Sequence, residues 1–337
     1  MNENKTVLIA GANGRLGRVA LTAFARAGWR VLAQARQCPD QLPEGVKHLA
    51  FDINDVEALT AAAAGASVLV YAINPLYTRW DTDLLPIARS AMRVTHNLGA
   101  TFMLPGNVYN YGASMPCVLT ENTPQRPSSR KGKLRVDLEA ELEAGAHTKT
   151  GPRSVVIRAG DFFGGGRGTW LDLVVVKSLA KGKLVYPGPP NIVHPWAYLP
   201  DLASTFVSVA QRVLTASANR DDLPPFLRFH FSGDSLTGAQ ALQRIEQAAR
   251  QLGIAPAWGF KHGGMPWSAI RAGGLVVPMW REVAEMQYLW DVPHRLDDSA
   301  LKKFIGDIAR TDFTEAICNS LMDLGLAKRN SAAVANI

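Results

Sequence analysis

The segment V-L-I-A-G-A-N-G-R-L-G, Val7 to Gly17, constrains this chain more than any other. Four apolar residues predict a buried strand, and glycines 11, 14 and 17 follow it as a helical pattern begins at Arg15. In such a turn Gly11 permits tight backbone geometry, Gly14 lets the backbone approach an anion, and Gly17 lets the helix pack on the sheet. The helix start adds free N–H donors and the positive end of a dipole. A strand, a glycine turn and a helix in this order predict a dinucleotide site touched by Gly11, Asn13, Gly14, Arg15, Leu16 and Gly17.

The pattern continues. Apolar strands at Val7–Ala10, Arg30–Gln34, His48–Phe51, Ser67–Ala72, Thr101–Leu104 and Ser154–Ile157 alternate with helical patterns, which predicts βαβ units and a parallel sheet. The helices read as Arg15–Ala27, stopped by Gly28, then Val56–Ala64 after the candidate cap Asn54, Asp81–Leu98 and Leu134–Gly145. Beyond residue 165 the texture changes. Lys181–Pro195 is rich in Gly and Pro and Gly253–Pro278 is irregular, so this half is expected to build loops around a capped helix, Thr237–Leu252, with Thr237 and Gln240 at capping-box spacing. Residues 1–165 are expected to form the nucleotide domain. Residues 166–327 would form a smaller lobe that returns some elements to the sheet, and 328–337 a tail.

Composition narrows the function. A chain of 337 residues with 47% hydrophobic residues buries a large core. No apolar run approaches the roughly 18 to 20 residues of a spanning helix, and the start lacks signal-peptide order, so a cytoplasmic protein with no membrane partner is expected. Cys38, Cys117 and Cys318 make neither a disulfide framework nor a metal-ligand spacing, and no metal is expected. The net charge of +7 is spread along the chain, with Ser129–Arg135 its densest stretch, which argues for a solvated basic surface and against nucleic acid.

Arg36 ends the second strand, where the adenine ribose should lie, and no Asp or Glu occurs between Val31 and Gln37. An acid there would take the free 2′-hydroxyl of NAD. Arg offers a fork for the 2′-phosphate of NADP, with Arg15 as a second cation, so NADP is expected and NAD is the alternative. Asp52 either meets the adenine or caps the next helix. Ile53, Ala72 and Asn74, at further strand ends, complete the expected cofactor contacts.

The glycine pattern, Tyr111-Gly112 followed by Glu121, Pro127, Gly132 and Glu139, the strand ending Ile157-Arg158, Tyr198–Ala203 and Leu296–Gly306 together resemble the extended short-chain dehydrogenases/reductases, and within them the NAD-dependent epimerase/dehydratase family. The resemblance spans nearly the whole chain. It implies an α/β fold, a Rossmann-type doubly wound parallel sheet with a smaller C-terminal substrate-binding lobe, and dimerisation through two helices per subunit. It also implies a Ser or Thr, a Tyr and a Lys at the reacting centre. Here Asn107, Lys131 and Arg135 fall at those positions, so the chain resembles a catalytically divergent branch.

The substituted groups retain chemistry. Asn107 can hold a carbonyl or hydroxyl. Arg135 can bind the nicotinamide ribose as a fixed charge. Lys131, if it lay beside Arg135 and partly buried, would be pushed toward neutrality and could donate a proton near the cofactor. Tyr109 and Tyr111 are alternative phenolic acids. On the substrate side stand Tyr77 and Trp80 in the loop after the fourth strand, Asp161 and Phe162 after a later one, and His194, a histidine with no visible partner; Trp196 and Tyr198 read as core. The aromatics suggest an apolar or ring-bearing small molecule. Two functions follow: an NADP(H)-dependent oxidoreductase acting on a carbonyl or alcohol carbon, or a non-catalytic NADP(H)-binding redox sensor that works through a protein partner. Sugar-nucleotide epimerisation, which would favour tightly held NAD, fits Arg36 less well.

Overall fold

The computed structural model describes residues 5–218, 223–308 and 310–328. The expected tail therefore lies, except for Lys328, outside the described residues. Seven strands form one parallel sheet. Five come from the first third of the chain: β1 (Thr6–Ala10), β2 (Arg30–Gln34), β3 (Lys47–Leu49), β4 (Val68–Tyr71) and β5 (Thr101–Gly106). The spatial order is Phe226–Phe231, Ser154–Ala159, β5, β4, β1, β2, β3, with every neighbour parallel.

Helices α1 (Arg15–Arg26), α2 (Val56–Ala62), α3 (Trp80–Leu98) and α4 (Arg130–Ala146) lie between these strands in the chain. Alternation along β1 shows how they clothe the sheet. Val7 and Ile9 join one core with Phe24 and Phe206, whereas Leu8 and Ala10 join another with Val94, Phe102 and Leu138. A strand covered on both faces is apolar at every position, which is why β1 reads as an unbroken run.

The predicted elements occur, with shifted ends. The fifth and sixth strands extend two residues further, and α4 starts one turn earlier than the apolar pattern suggested, because the Ser129 side chain accepts from Gly132 N at 3.0 Å. The cap of α2 is Asp55, not Asn54; the Asn54 side chain is instead held by Asp52 and Ser90. Thr237 and Gln240 form both halves of the expected capping box. Two long elements in the half expected to build loops belong to the sheet layer. Leu199–Ala218 packs against α1 through Leu202 and Phe206, and Phe226–Phe231 adds the outermost strand. A third core, with Trp80, Tyr109, Phe163, Trp196, Trp290 and Phe313, fills the space between the sheet's carboxyl edge and the C-terminal segments.

Candidate active site

Because the strands are parallel, the loops after β1, β4, β5 and Ser154–Ala159 all leave the same edge of the sheet. The glycine turn heads this edge. Gly11 adopts φ +83°, and a Cβ there would strike the Ile73 backbone, while a Cβ at Gly17 would collide with the Gly11 carbonyl oxygen. No side chain caps the N-terminus of α1, and no acid stands in its first turn. Its donors therefore remain available to an anion.

Gln34, which sequence reasoning passed over, fixes the turn. Its Oε1 accepts from Gly11 N at 3.0 Å and its Nε2 donates to Phe51 O at 2.7 Å, while its own carbonyl accepts from Gly11 N and Ala12 N. A polar residue ending an apolar strand was the available signal. Arg36 stands exposed just beyond, with no hydrogen bond or ion pair among the described residues. Asn13 donates to Gln37 O at 2.8 Å, holding the turn against this strand end.

Several predicted residues are placed elsewhere. Arg15 does not join Arg36; it donates to the Gly168 carbonyl, bridging the glycine turn to the Gly164–Gly168 loop. Ile53 is buried in the core beside β3. Asp52 faces solvent and accepts from Asn54 N at 2.9 Å, a local turn contact. Leu16 is buried, Ala72 is half-buried and Asn74 is exposed along the same edge.

Trp80, read as a substrate residue, is buried and donates to Pro75 O at 3.0 Å, so it closes the Asn74–Trp80 loop from inside. Phe162 packs against the core between α1 and Leu199–Ala218 rather than facing a substrate. His194 does have a partner: its Nε2 lies 2.8 Å from Asp161 Oδ2, its Nδ1 3.1 Å from Leu289 O, and its ring stacks on Trp290 at 3.9 Å. The partner was invisible in sequence because it comes from a strand 33 residues away.

The divergent centre is resolved most sharply at Lys131. Its ammonium is fully buried and bonds Glu282 and Glu285, carboxylates delivered by a distant segment, and it lies 5.4 Å from the Tyr77 ring centroid. Lys131 is thus paired with two carboxylates, partners that the sequence, which set it beside Arg135, did not reveal. Burial works to raise the Glu282 carboxyl, but Lys131 and Arg130 overcome it and hold the group below its usual range. Arg135 sits with its guanidinium 4.8 Å from the Trp80 ring and donates to Pro105 O at 3.4 Å; burial draws its pKa down.

Tyr111 is engaged at its hydroxyl by other side chains. Its hydroxyl accepts from Arg158 at 2.5 Å and lies 2.7 Å from His230 Nε2, and Arg158 in turn forks onto Glu139 at 3.1 and 2.5 Å. Burial pushes this phenol up to about 12. Tyr109 is different. Its hydroxyl lies 3.0 Å from that of Tyr77, and its backbone N donates to Asn107 Oδ1 at 3.0 Å. Burial raises both phenols, Tyr109 further, with nearby Asp161 adding to the effect.

No family model matches the chain, and no curated protein does. Solved structures do. An L-threonine dehydrogenase from Clostridium difficile is 17% identical, covering 96% of this chain and 98% of its own, with a TM-score of 0.71. A UDP-glucose-4-epimerase from Stenotrophomonas maltophila, with bound NAD and formylated UDP-arabinopyranose, is 14% identical, covering 94% and 96%, with a TM-score of 0.70. TunA, an NAD-dependent NDP-hexosamine 5,6-dehydratase of tunicamycin biosynthesis, is 17% identical, covering 95% and 97%, with a TM-score of 0.68. The fold is that of these epimerases, dehydratases and dehydrogenases. The Rossmann-type sheet expected from the resemblance is present, in a fold that matches these structures along nearly the whole chain.

Within that fold three polar groups stand near the carboxyl edge of the sheet: the Tyr77–Tyr109 hydroxyl pair, the Asp161–His194 pair and the Lys131 cluster. Among the described residues no group of three or more His, Cys, Asp or Glu side chains is placed to hold a metal ion, and no helix is long and apolar enough to cross a membrane.

Proposed function

We propose that this chain is an NADP(H)-dependent oxidoreductase that reduces a carbonyl group on an apolar or ring-bearing small molecule. The observation that carries the cofactor reading is Arg36, exposed and unpaired at the end of β2 beside an uncapped glycine turn. The turn requires glycine at 11 and 17, where backbone occupies the space a Cβ would need, and the uncapped start of α1 offers its N–H donors to a pyrophosphate. Arg36 fits a 2′-phosphate through charge-assisted hydrogen bonds that an NAD ribose cannot supply. One solved neighbour is an NAD-dependent dehydratase and another carries bound NAD, which supports a nicotinamide dinucleotide, and Arg36 favours the phosphorylated form.

Bound NADPH supplies a hydride. The chain's part is to place the substrate oxygen and give it a proton. Tyr109, with Tyr77 at 3.0 Å, offers that proton. Burial keeps both phenols protonated, so either can donate a proton to the alkoxide that a reduction develops. Asn107 orients the backbone of Tyr109, and Asp161 with His194 forms the polar wall near the pair.

Calorimetric titration of NADPH and NADH into the wild type and Arg36→Ala tests the cofactor, and NADPH consumption with a panel of aromatic and aliphatic ketones tests the chemistry. Tight NADPH binding with no turnover of any carbonyl would leave the second reading, a redox sensor. The buried and fully paired Lys131 favours that alternative, because the group at the usual tyrosine position is bound up in structure. A sensor requires a protein partner whose affinity differs between NADP⁺ and NADPH.

A further inference from the structure

The segment after residue 266 folds as a hairpin of two seven-residue helices, Trp267–Gly273 and Pro278–Ala284, packed on each other where Gly273 meets the Trp280 ring. Its tip is apolar and faces outward. Leu275 is 89% exposed, Val276 85% and Trp280 46%, with Val277 and Met279 beside them. Single exposed hydrophobics are ordinary, but five within six consecutive residues form a patch.

The tip is held out rather than left over from poor packing. At the hairpin's inner side Glu282 and Glu285 bond the Lys131 ammonium, Arg130 donates to Glu282 at 2.8 Å, and Glu285 accepts from the Arg130 backbone N at 2.5 Å. These contacts bolt the second helix to the start of α4. The apolar tip therefore cannot fold back onto the body without unpairing buried charge.

We propose that this tip docks on the surface of an anionic lipid bilayer, with Leu275, Val276 and Trp280 entering the interfacial region. Charge complementarity selects this occupant. From Trp267 to Arg281 there is no Asp or Glu, and Arg271 and Arg281 flank the patch; the next carboxylate, Glu282, lies 3.7 Å from Arg281 but is buried and shared with Arg130 and Lys131, and the whole chain carries +7. Aliphatic side chains with a tryptophan between cations suit the boundary between acyl chains and anionic headgroups. A second copy of the chain fits less well: five side chains at the end of two short helices offer less than the roughly 800 Å² per partner of a stable dimer. Docking on one leaflet needs no spanning helix, so it replaces the expectation of no membrane contact that the lack of a long apolar run suggested. The inference is independent of the cofactor reading.

Flotation of the full chain with vesicles at near-physiological salt tests it, using phosphatidylcholine alone and phosphatidylcholine with about a third phosphatidylglycerol. The wild type should float with the anionic vesicles at least fivefold more than with the neutral ones. Leu275→Ser/Val276→Ser, which keeps the charge, should lose that binding at least tenfold while circular dichroism and the urea midpoint stay unchanged. No flotation of the wild type overturns the proposal. So does flotation that survives the serine pair, which would mean diffuse surface charge, and so does a sizing-column dimer or a captured soluble protein that the serine pair releases without any vesicle binding.

Discussion

The hydroxyls of Tyr77 and Tyr109, 32 residues apart in the chain, meet at 3.0 Å on the carboxyl edge of the sheet, inside an aromatic core that keeps both protonated. Neither stands at the position the family pattern reserves for its tyrosine. If the pair supplies the proton, Tyr109→Phe lowers kcat by about 10²- to 10⁴-fold with NADPH affinity unchanged. Tyr77→Phe, which removes only the neighbour, has the smaller effect. Equal activity of Tyr109→Phe and wild type in single-turnover kinetics would assign the proton elsewhere.

Arg36 is expected to decide between the two nicotinamide cofactors. A charge-assisted contact contributes about 1.5–3 kcal/mol, so Arg36→Ala should weaken NADPH by roughly 10- to 100-fold and leave NADH nearly unaffected. Arg15→Ala acts differently. Because Arg15 reaches Gly168 rather than the ribose end, its loss should weaken both nucleotides alike, as titration of each would reveal.

Lys131 tests whether the old catalytic position has become structural. Lys131→Met strands Glu282 and Glu285, and removing one member of a buried pair costs about 3–5 kcal/mol, read as a shift in the urea midpoint. Lys131→Met/Glu282→Leu should recover a large part of that loss. A catalytic lysine would show the opposite pattern, with unchanged stability and lost turnover.

Stability should also fall on mild acidification. Unfolded His230 takes up a proton near 6.5, whereas in the fold burial, and then Arg158, hold protonation off until about 4. The unfolded chain binds more protons between those values, so this contribution is complete above pH 6.5 and is lost as pH falls toward 4, by about 3 kcal/mol. Denaturation curves at pH 7, 6, 5 and 4.5 measure it. His230→Gln should flatten the dependence while losing stability at pH 7, because its bond to Tyr111 goes.

Much of the frame was legible from local pattern. An apolar run ending in Gly11, Gly14 and Gly17 encodes the strand, the turn and the helix start, since hydrophobic alternation and glycine's backbone freedom act within a few residues. The same holds for the Thr237–Gln240 capping box. Leu199–Ala218 and Phe226–Phe231 were also readable, the first beginning near Pro200 in the usual place for proline at a helix start, but the surrounding Gly and Pro masked them.

The sequence by itself determined six of the seven sheet strands, the glycine turn and Arg36 at the end of the second strand, because each depends on neighbours close in the chain. Only the tertiary structure decided what the site residues do. It paired Tyr77 with Tyr109, tied Tyr111 to Arg158 and His230, joined His194 to Asp161 and brought Glu282 and Glu285 onto Lys131. Each pairing closes a long loop, and whether a titratable side chain becomes an acid, a salt-bridge partner or a core residue depends on the charges and burial that such closure brings to it.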